Sequence, residues 1–190
     1  MASEKLTPEE QKTLLALARQ ALEAGVSGKP VNLPAPASLT PGLSREGASF
    51  VTLTIGGQLR GCIGALEAYQ PLAADVSEHT VAAALEDPRF PPVRPDELPR
   101  IHIEISRLTT PEPLEYSGPE DLLSLLRPHI DGVIVRDGFR RATFLPQVWE
   151  KIPDPSEFMD NLCYKMGADP GLWRTKHLAL QVYQVEEFHE

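Results

Sequence analysis

The residues with the most chemistry within reach of one another lie in a single hexapeptide, Leu59-Arg60-Gly61-Cys62-Ile63-Gly64. Read as a strand, residues two apart share a face, so Arg60 and Cys62 point one way while Leu59, Gly61 and Ile63 point the other, toward a core. Arginine is rarely buried unpaired, and the face shared by Arg60 and Cys62 is therefore expected to be at least partly wet. A guanidinium beside a thiol favours the thiolate, the form that acts as nucleophile or metal ligand. Gly61 and Gly64 remove side chains on either side and bare backbone amides for an anionic group. The competing reading is that these glycines serve a bulge or tight packing and that Cys62 only fills space, since free cysteine is among the most buried residue types.

Three further groups stand out. Asp87-Pro88-Arg89-Phe90-Pro91-Pro92 is a stiff, proline-bracketed loop that presents Arg89 and Phe90 in a fixed pose, either as a pocket wall or partner contact or as a plain surface connection. Arg136, Arg140, Arg141 and Thr143 gather around Asp137-Gly138; most such clusters are solvated faces, yet Arg141 and Thr143 share one side of a strand and can reach an anion. His79 lies on the apolar stripe of a helix, which reads first as a core histidine and second as a general base. Cys163 shares a helical face with Met159, Leu162 and Met166 and reads as a buried, inert thiol. The five histidines are scattered, with no pair at i, i+3 or i, i+4, so a metal site would have to be assembled in space. The phosphate loop, the G-x-S-x-G elbow, H-E-x-x-H and C-x-x-C are all absent, and the glycines of residues 56–64 do not match the dinucleotide fingerprint. No cofactor is expected.

These side chains need a frame. Thr7-Pro8-Glu9-Glu10 offers a cap, a proline at the first helical position and a glutamate three residues after the threonine, so residues 1–26 are expected to hold an N-terminal helix, with Leu14, Ala18, Ala21 and Leu22 on its buried face and Gly25 as a stop. Residues 27–46 read as a proline-rich, extended connection. Residues 50–55 alternate as a strand, Gly56-Gly57 allows a tight turn and residues 58–63 return. Pro71 opens a second helix whose stripe is Leu72, Val76, His79, Thr80 and Ala83; it ends at Asp87-Pro88. Residues 87–99 contain five prolines and are expected to be irregular.

Ile101, Ile103 and Ile105 then alternate with polar residues as a half-buried strand. A short helix is expected over residues 120–126, a hairpin over 132–145 turning at Asp137-Gly138, helices near 147–151 and 156–166, and one closing strand over 177–185. Hairpins interspersed with helices predict an α+β fold, mixed and largely antiparallel, rather than a doubly wound parallel sheet.

The bulk properties agree with a globular chain. At 190 residues it is long enough for one domain, or one domain with a lobe, and 42% hydrophobic with 24% charged residues excludes disorder, coiled coil and collagen-like structure. A formal charge of -9 disfavours nucleic acid as a partner. The first ten residues are polar with mixed charge, and no apolar run reaches the roughly 18 residues of a spanning helix. The expected setting is cytoplasmic, with no membrane and with Cys62 and Cys163 as free thiols.

Taken together, L-R-G-C-I-G at residues 59–64, D-P-R-F-P-P at 87–92, D-E-L-P at 96–99 and R-A-T-F-L-P at 141–146 stand in the order and approximate spacing of the AMMECR domain family, which the chain resembles from about Gly47 to its last residue. Bacterial and archaeal members are called AmmeMemoRadiSam system protein A. The resemblance implies a two-lobed α/β domain over residues 47–190 built around antiparallel sheet, with the hexapeptide near a cleft between the lobes, and residues 1–190 are expected to form one compact unit. It also implies company: a Memo-type protein similar to ring-opening dioxygenases and a radical S-adenosylmethionine protein.

No settled reaction comes with the resemblance, and two functions fit. In the first, the protein is an adaptor or small-ligand-binding module that uses Arg60, Gly61, Gly64, Arg89, Phe90, Arg141 and Thr143. In the second, Cys62 is the nucleophile of a thiol enzyme acting on a small anionic or carbonyl metabolite. Arg60 is then activator and anchor, amides near residues 61–64 form an oxyanion site and His79 is a base. The lack of a base at recognisable spacing favours the first.

Overall fold

The helix that follows Thr7 starts for local reasons. In the computed structural model, which describes residues 5–190 apart from the side chain of Pro36, the Glu10 N–H donates to the Thr7 hydroxyl (3.3 Å) and the Thr7 N–H donates to the Glu10 carboxylate (2.8 Å). This capping box begins α1 (Pro8–Val26), which buries Leu14, Leu17, Ala18, Ala21 and Leu22. The connection expected to be extended instead contains a 3-10 turn at Pro36–Ser38 and a single-turn helix, α2 (Pro41–Ser44), with Pro41 at its first position. Proline is tolerated there because its missing N–H would have no helical partner anyway.

β1 (Ala48–Ile55) and β2 (Gln58–Gly64) pair antiparallel across Gly56-Gly57, whose φ angles of 58° and 77° suit a tight turn. α3 (Leu72–Leu85) follows, then the D-P-R-F-P-P loop, a 3-10 turn at Pro95–Arg100 and β3 (Ile101–Leu108), antiparallel to the whole length of β1. After β4 (Glu112–Pro113) come α4 (Pro119–Leu125), β5 (Gly132–Asp137), β6 (Arg140–Phe144), α5 (Pro155–Lys165), α6 (Leu172–Thr175), β7 (Ala179–Tyr183) and β8 (Val185–His189). The segment near 147–151 is a 3-10 turn at Pro146–Glu150 rather than an α-helix.

The fold is α+β, with two four-stranded sheets ordered β2-β1-β3-β8 and β4-β7-β5-β6. β5 pairs antiparallel with both β6 and β7, and β4 with β7. The single closing strand expected over 177–185 is corrected: the chain changes sheet near Gln184, so β7 and β8 belong to different sheets. No glycine or proline marks that change.

The chain divides into two compact units, one running to Thr109 and taking back Glu186–Glu190, the other Thr110–Val185. In the first, Leu14, Leu22, Val51, Leu53, Ile103 and Ile105 form a core from which water is excluded. In the second, Val133, Val135, Leu122 and Leu162 pack with Trp149 and Phe158, whose rings stack 3.6 Å apart. Among the described residues no helix is long and apolar enough to cross a membrane.

Candidate functional site

β2 is an edge strand, and an irregularity in its register decides what its side chains face. Leu53 pairs with Gly61 but Thr54 pairs with Leu59, so Arg60 is the extra residue of a bulge. Directly paired residues share a face, which places Leu59 with Thr54, Thr52 and Cys62 rather than with Gly61 and Ile63. Leu59 is accordingly exposed, against the core position expected for it. Cys62 sits opposite Thr52, is half-buried and accepts a hydrogen bond from the Thr52 hydroxyl at 3.2 Å.

The backbone of Cys62 points to the open edge, and side chains of the D-P-R-F-P-P loop take the place of a neighbouring strand. The Cys62 N–H donates to Asp87 Oδ2 at 2.9 Å, and Arg89 Nη2 donates to the Cys62 carbonyl at 3.2 Å. Asp87 and Arg89 are themselves joined by two side-chain hydrogen bonds of 2.9 and 2.7 Å. The Arg89 guanidinium holds the buried Asp87 carboxyl well below the usual carboxylate range, helped by the Cys62 and Arg89 N–H groups and opposed by burial. Arg89 in turn is held charged by Asp87, with half its side chain in solvent and its guanidinium 5.6 Å from the Phe90 ring centre.

The groups that the Arg60 guanidinium meets are a carboxylate and two carbonyls. It forms a two-pronged pair with Glu97 at 2.8 and 3.0 Å and donates to the Pro91 and Pro92 carbonyls. Hydrogen bonds from Arg60 and from the Arg94 N–H bring the Glu97 carboxyl down to about 2. The space left by the two glycines is also filled. A Cβ on Gly61 would lie 2.0 Å from the Ala83 carbonyl oxygen at the end of α3, and one on Gly64 would meet the Phe50 ring and the Ser49 oxygen at 2.4 Å. Both glycines serve close packing on the side where a Cβ would stand.

His79 lies across the sheet from the thiol. Ser49, Val51 and Leu53 share the face of β1 that meets α3, and the Ser49 hydroxyl donates to Asp75 Oδ2 at 2.6 Å; His79 Nδ1 lies 3.2 Å from the same oxygen. Thr52, and with it Cys62, is on the opposite face. Arg141 and Thr143 belong to the other unit, on β6, where Arg141 is cross-strand from Arg136. The Thr143 hydroxyl shares a 3.2 Å hydrogen bond with Tyr183, whose phenol is pushed up to about 12 by burial.

The structure thus brings together Arg60, Gly61, Cys62, Gly64, Arg89 and Phe90, and separates His79 from them by a sheet. Sequence reasoning missed the parts played by Thr52, Asp87 and Glu97. The second was discoverable from the Asp-Pro-Arg turn; the first was hidden by the bulge, because an unbroken two-residue hairpin sets Cys62 opposite Val51, and Glu97 meets Arg60 across 37 residues with no local signal. Among the described residues no group of three or more His, Cys, Asp or Glu side chains is arranged to hold a metal ion. The face of the β1–β2 pair that carries Cys62 presents a thiol, two hydroxyls and an apolar side chain, with a guanidinium at its edge.

The AMMECR1 family model matches residues 15–188. A protein of Methanothermobacter thermautotrophicus is 41% identical over 190 residues, covering 97% of this chain and 96% of its own length. One of Methanopyrus kandleri is 38% identical over 196 residues, covering 98% and 91%. The crystal structure of an uncharacterized protein from Pyrococcus horikoshii matches with a TM-score of 0.81 at 32% identity, over 98% of this chain and 94% of that one.

Proposed function

The chain belongs to the AMMECR1 family, and on that premise we propose that it works by binding rather than by catalysis, the outward face of β2 around Cys62 acting as a rigid recognition plate for a small ligand or a protein partner. The observation that carries this reading is where the polar groups of the two motifs go. The Cys62 backbone is satisfied by Asp87 and Arg89, and Arg60 by Glu97, so the strand face is stiff before anything arrives. Stiffness of that kind lowers the entropy lost on binding.

A thiol nucleophile is commonly activated by a base within hydrogen-bond reach. Within its own unit the Cys62 sulfur meets the Thr52 hydroxyl, and the His79 imidazole is engaged on the other side of the sheet. Leu59 supplies an exposed apolar contact on the same face, and Arg89 a half-exposed cation beside it. That combination suits an occupant with one anionic group and an apolar part. The Memo-type and radical S-adenosylmethionine proteins implied by the resemblance are the partners to try first.

Calorimetry of the full chain with each of these partners, and mass spectrometry of a cell metabolite extract incubated with it, test the proposal. Binding is expected to survive Cys62→Ser within about twofold and to weaken by on the order of tenfold in Leu59→Asp, which puts a charge on the exposed face. A metabolite conversion that disappears in Cys62→Ser while binding persists overturns the reading in favour of thiol chemistry.

A further inference from the structure

The unit formed by Thr110–Val185 contains a pocket of about 170 Å³ between the turn that precedes α4 and the connection from α6 to β7. Its wall presents Arg174, Lys176 and His177 together with the hydroxyls of Ser117 and Thr175, and no carboxylate. In a chain of formal charge -9 that lining is unlike the average surface. We infer that this pocket binds a small oxyanion, the phosphate or carboxylate group of a metabolite or the free ion.

The cations are positioned before any ligand enters. Arg174 lies over the Trp173 ring, 4.2 Å from its centre, and is paired with Asp160. Lys176 is 2.7 Å from an Asp137 oxygen, and the other oxygen of Asp137 is taken by Arg140. One carboxylate therefore answers two cations, and the trio keeps a positive charge. The His177 ring lies on Tyr116 at 4.2 Å and 17°, and among the described residues its nitrogens have no hydrogen-bond partner. Asp121, on the adjoining first turn of α4, is engaged by the Ser117 N–H at 2.7 Å. At about 170 Å³ the pocket has room for a phosphate or a small carboxylate group.

The test titrates the full chain with inorganic phosphate and, separately, with acetate at fixed ionic strength, followed by amide NMR shifts. Saturable binding is expected for at least one of them, with shifts concentrated at residues 116–119 and 173–177. Lys176→Gln and, independently, His177→Ala should each weaken it by roughly tenfold, whereas Lys151→Gln, the same charge change at an exposed position of the same unit outside the pocket, should leave it within about twofold. Binding of phosphate alone assigns the site to phosphoryl groups, and binding of acetate alone assigns it to carboxylates. Scattered shifts, no saturation with either anion below roughly 20 mM, or equal losses in the Lys176 and Lys151 variants overturn the inference.

Discussion

At the scale of single residues, the two cysteines make a controlled comparison. Cys163 is fully buried on the inner face of α5, and that burial pushes its thiol up, away from the reactive thiolate. Cys62 is half-buried on an edge strand. Native protein is therefore expected to alkylate with iodoacetamide at Cys62 faster than at Cys163 by on the order of tenfold or more, read by peptide mass spectrometry; equal rates would mean that the β2 face is closed. The glycines give a second comparison. Gly61→Ala drives a methyl into the Ala83 carbonyl, so it should destabilise by about 3 kcal/mol through overpacking. Gly56→Ala meets open space and pays only for its positive φ, about 1 kcal/mol. Urea unfolding of both variants separates the two costs, and similar values would sink the packing argument.

At the scale of elements, the free edge of β2 is what the D-P-R-F-P-P loop protects. An uncovered strand edge is a template for another chain. Asp87→Ala removes the acceptor of the Cys62 N–H and the partner of Arg89 together, so a loss of about 2 kcal/mol is expected, accompanied by more self-association in sedimentation than the native chain gives under the same conditions. A variant that is destabilised yet no more associated than the native chain would leave the loop a role in stability alone. The same edge explains what could be read in the chain beforehand. The capping box at Thr7 and Glu10 and the alternation of Ile101, Ile103 and Ile105 are set by neighbours a few residues away, and both form as their patterns dictate. Strict alternation puts Leu59 on the core side because it ignores a bulge; Gly61 and Gly64 allow one, as the competing reading has it, but do not fix its place at Arg60. The partner of Arg60 was equally hidden, since a guanidinium sees carboxylates in space and Glu97 arrives only once α3 and the loop have folded.

At the scale of the whole molecule, acid is the condition that should expose how much the motif clamp contributes. Arg60 and Glu97 each leave only 13% of the side chain exposed, and the pair joins the bulge of β2 to the 3-10 turn before β3. In the unfolded chain a glutamate takes up its proton near pH 4.3, while in the folded protein Glu97 holds out to about 2. Between those values the unfolded state binds the extra proton, so stability rises with pH through this window and is lost as pH falls from about 4.5 toward 2. Asp87, also held low by its arginine, adds to the fall in the same direction. Urea midpoints followed by far-UV circular dichroism from pH 6 down to the acid limit should show this decline in the native chain. Glu97→Gln removes the titrating group but keeps a side chain of the same size, so it should be less stable at pH 6 and should lose about 1 kcal/mol less on acidification, a figure reduced from the full linkage value because solvent screens a pair that is not wholly buried. If the two stability curves ran parallel across the window, the Arg60–Glu97 pair would be an arrangement of charges without energetic consequence, and the stiffness attributed to the β2 face would have to rest on Asp87 and Arg89 alone.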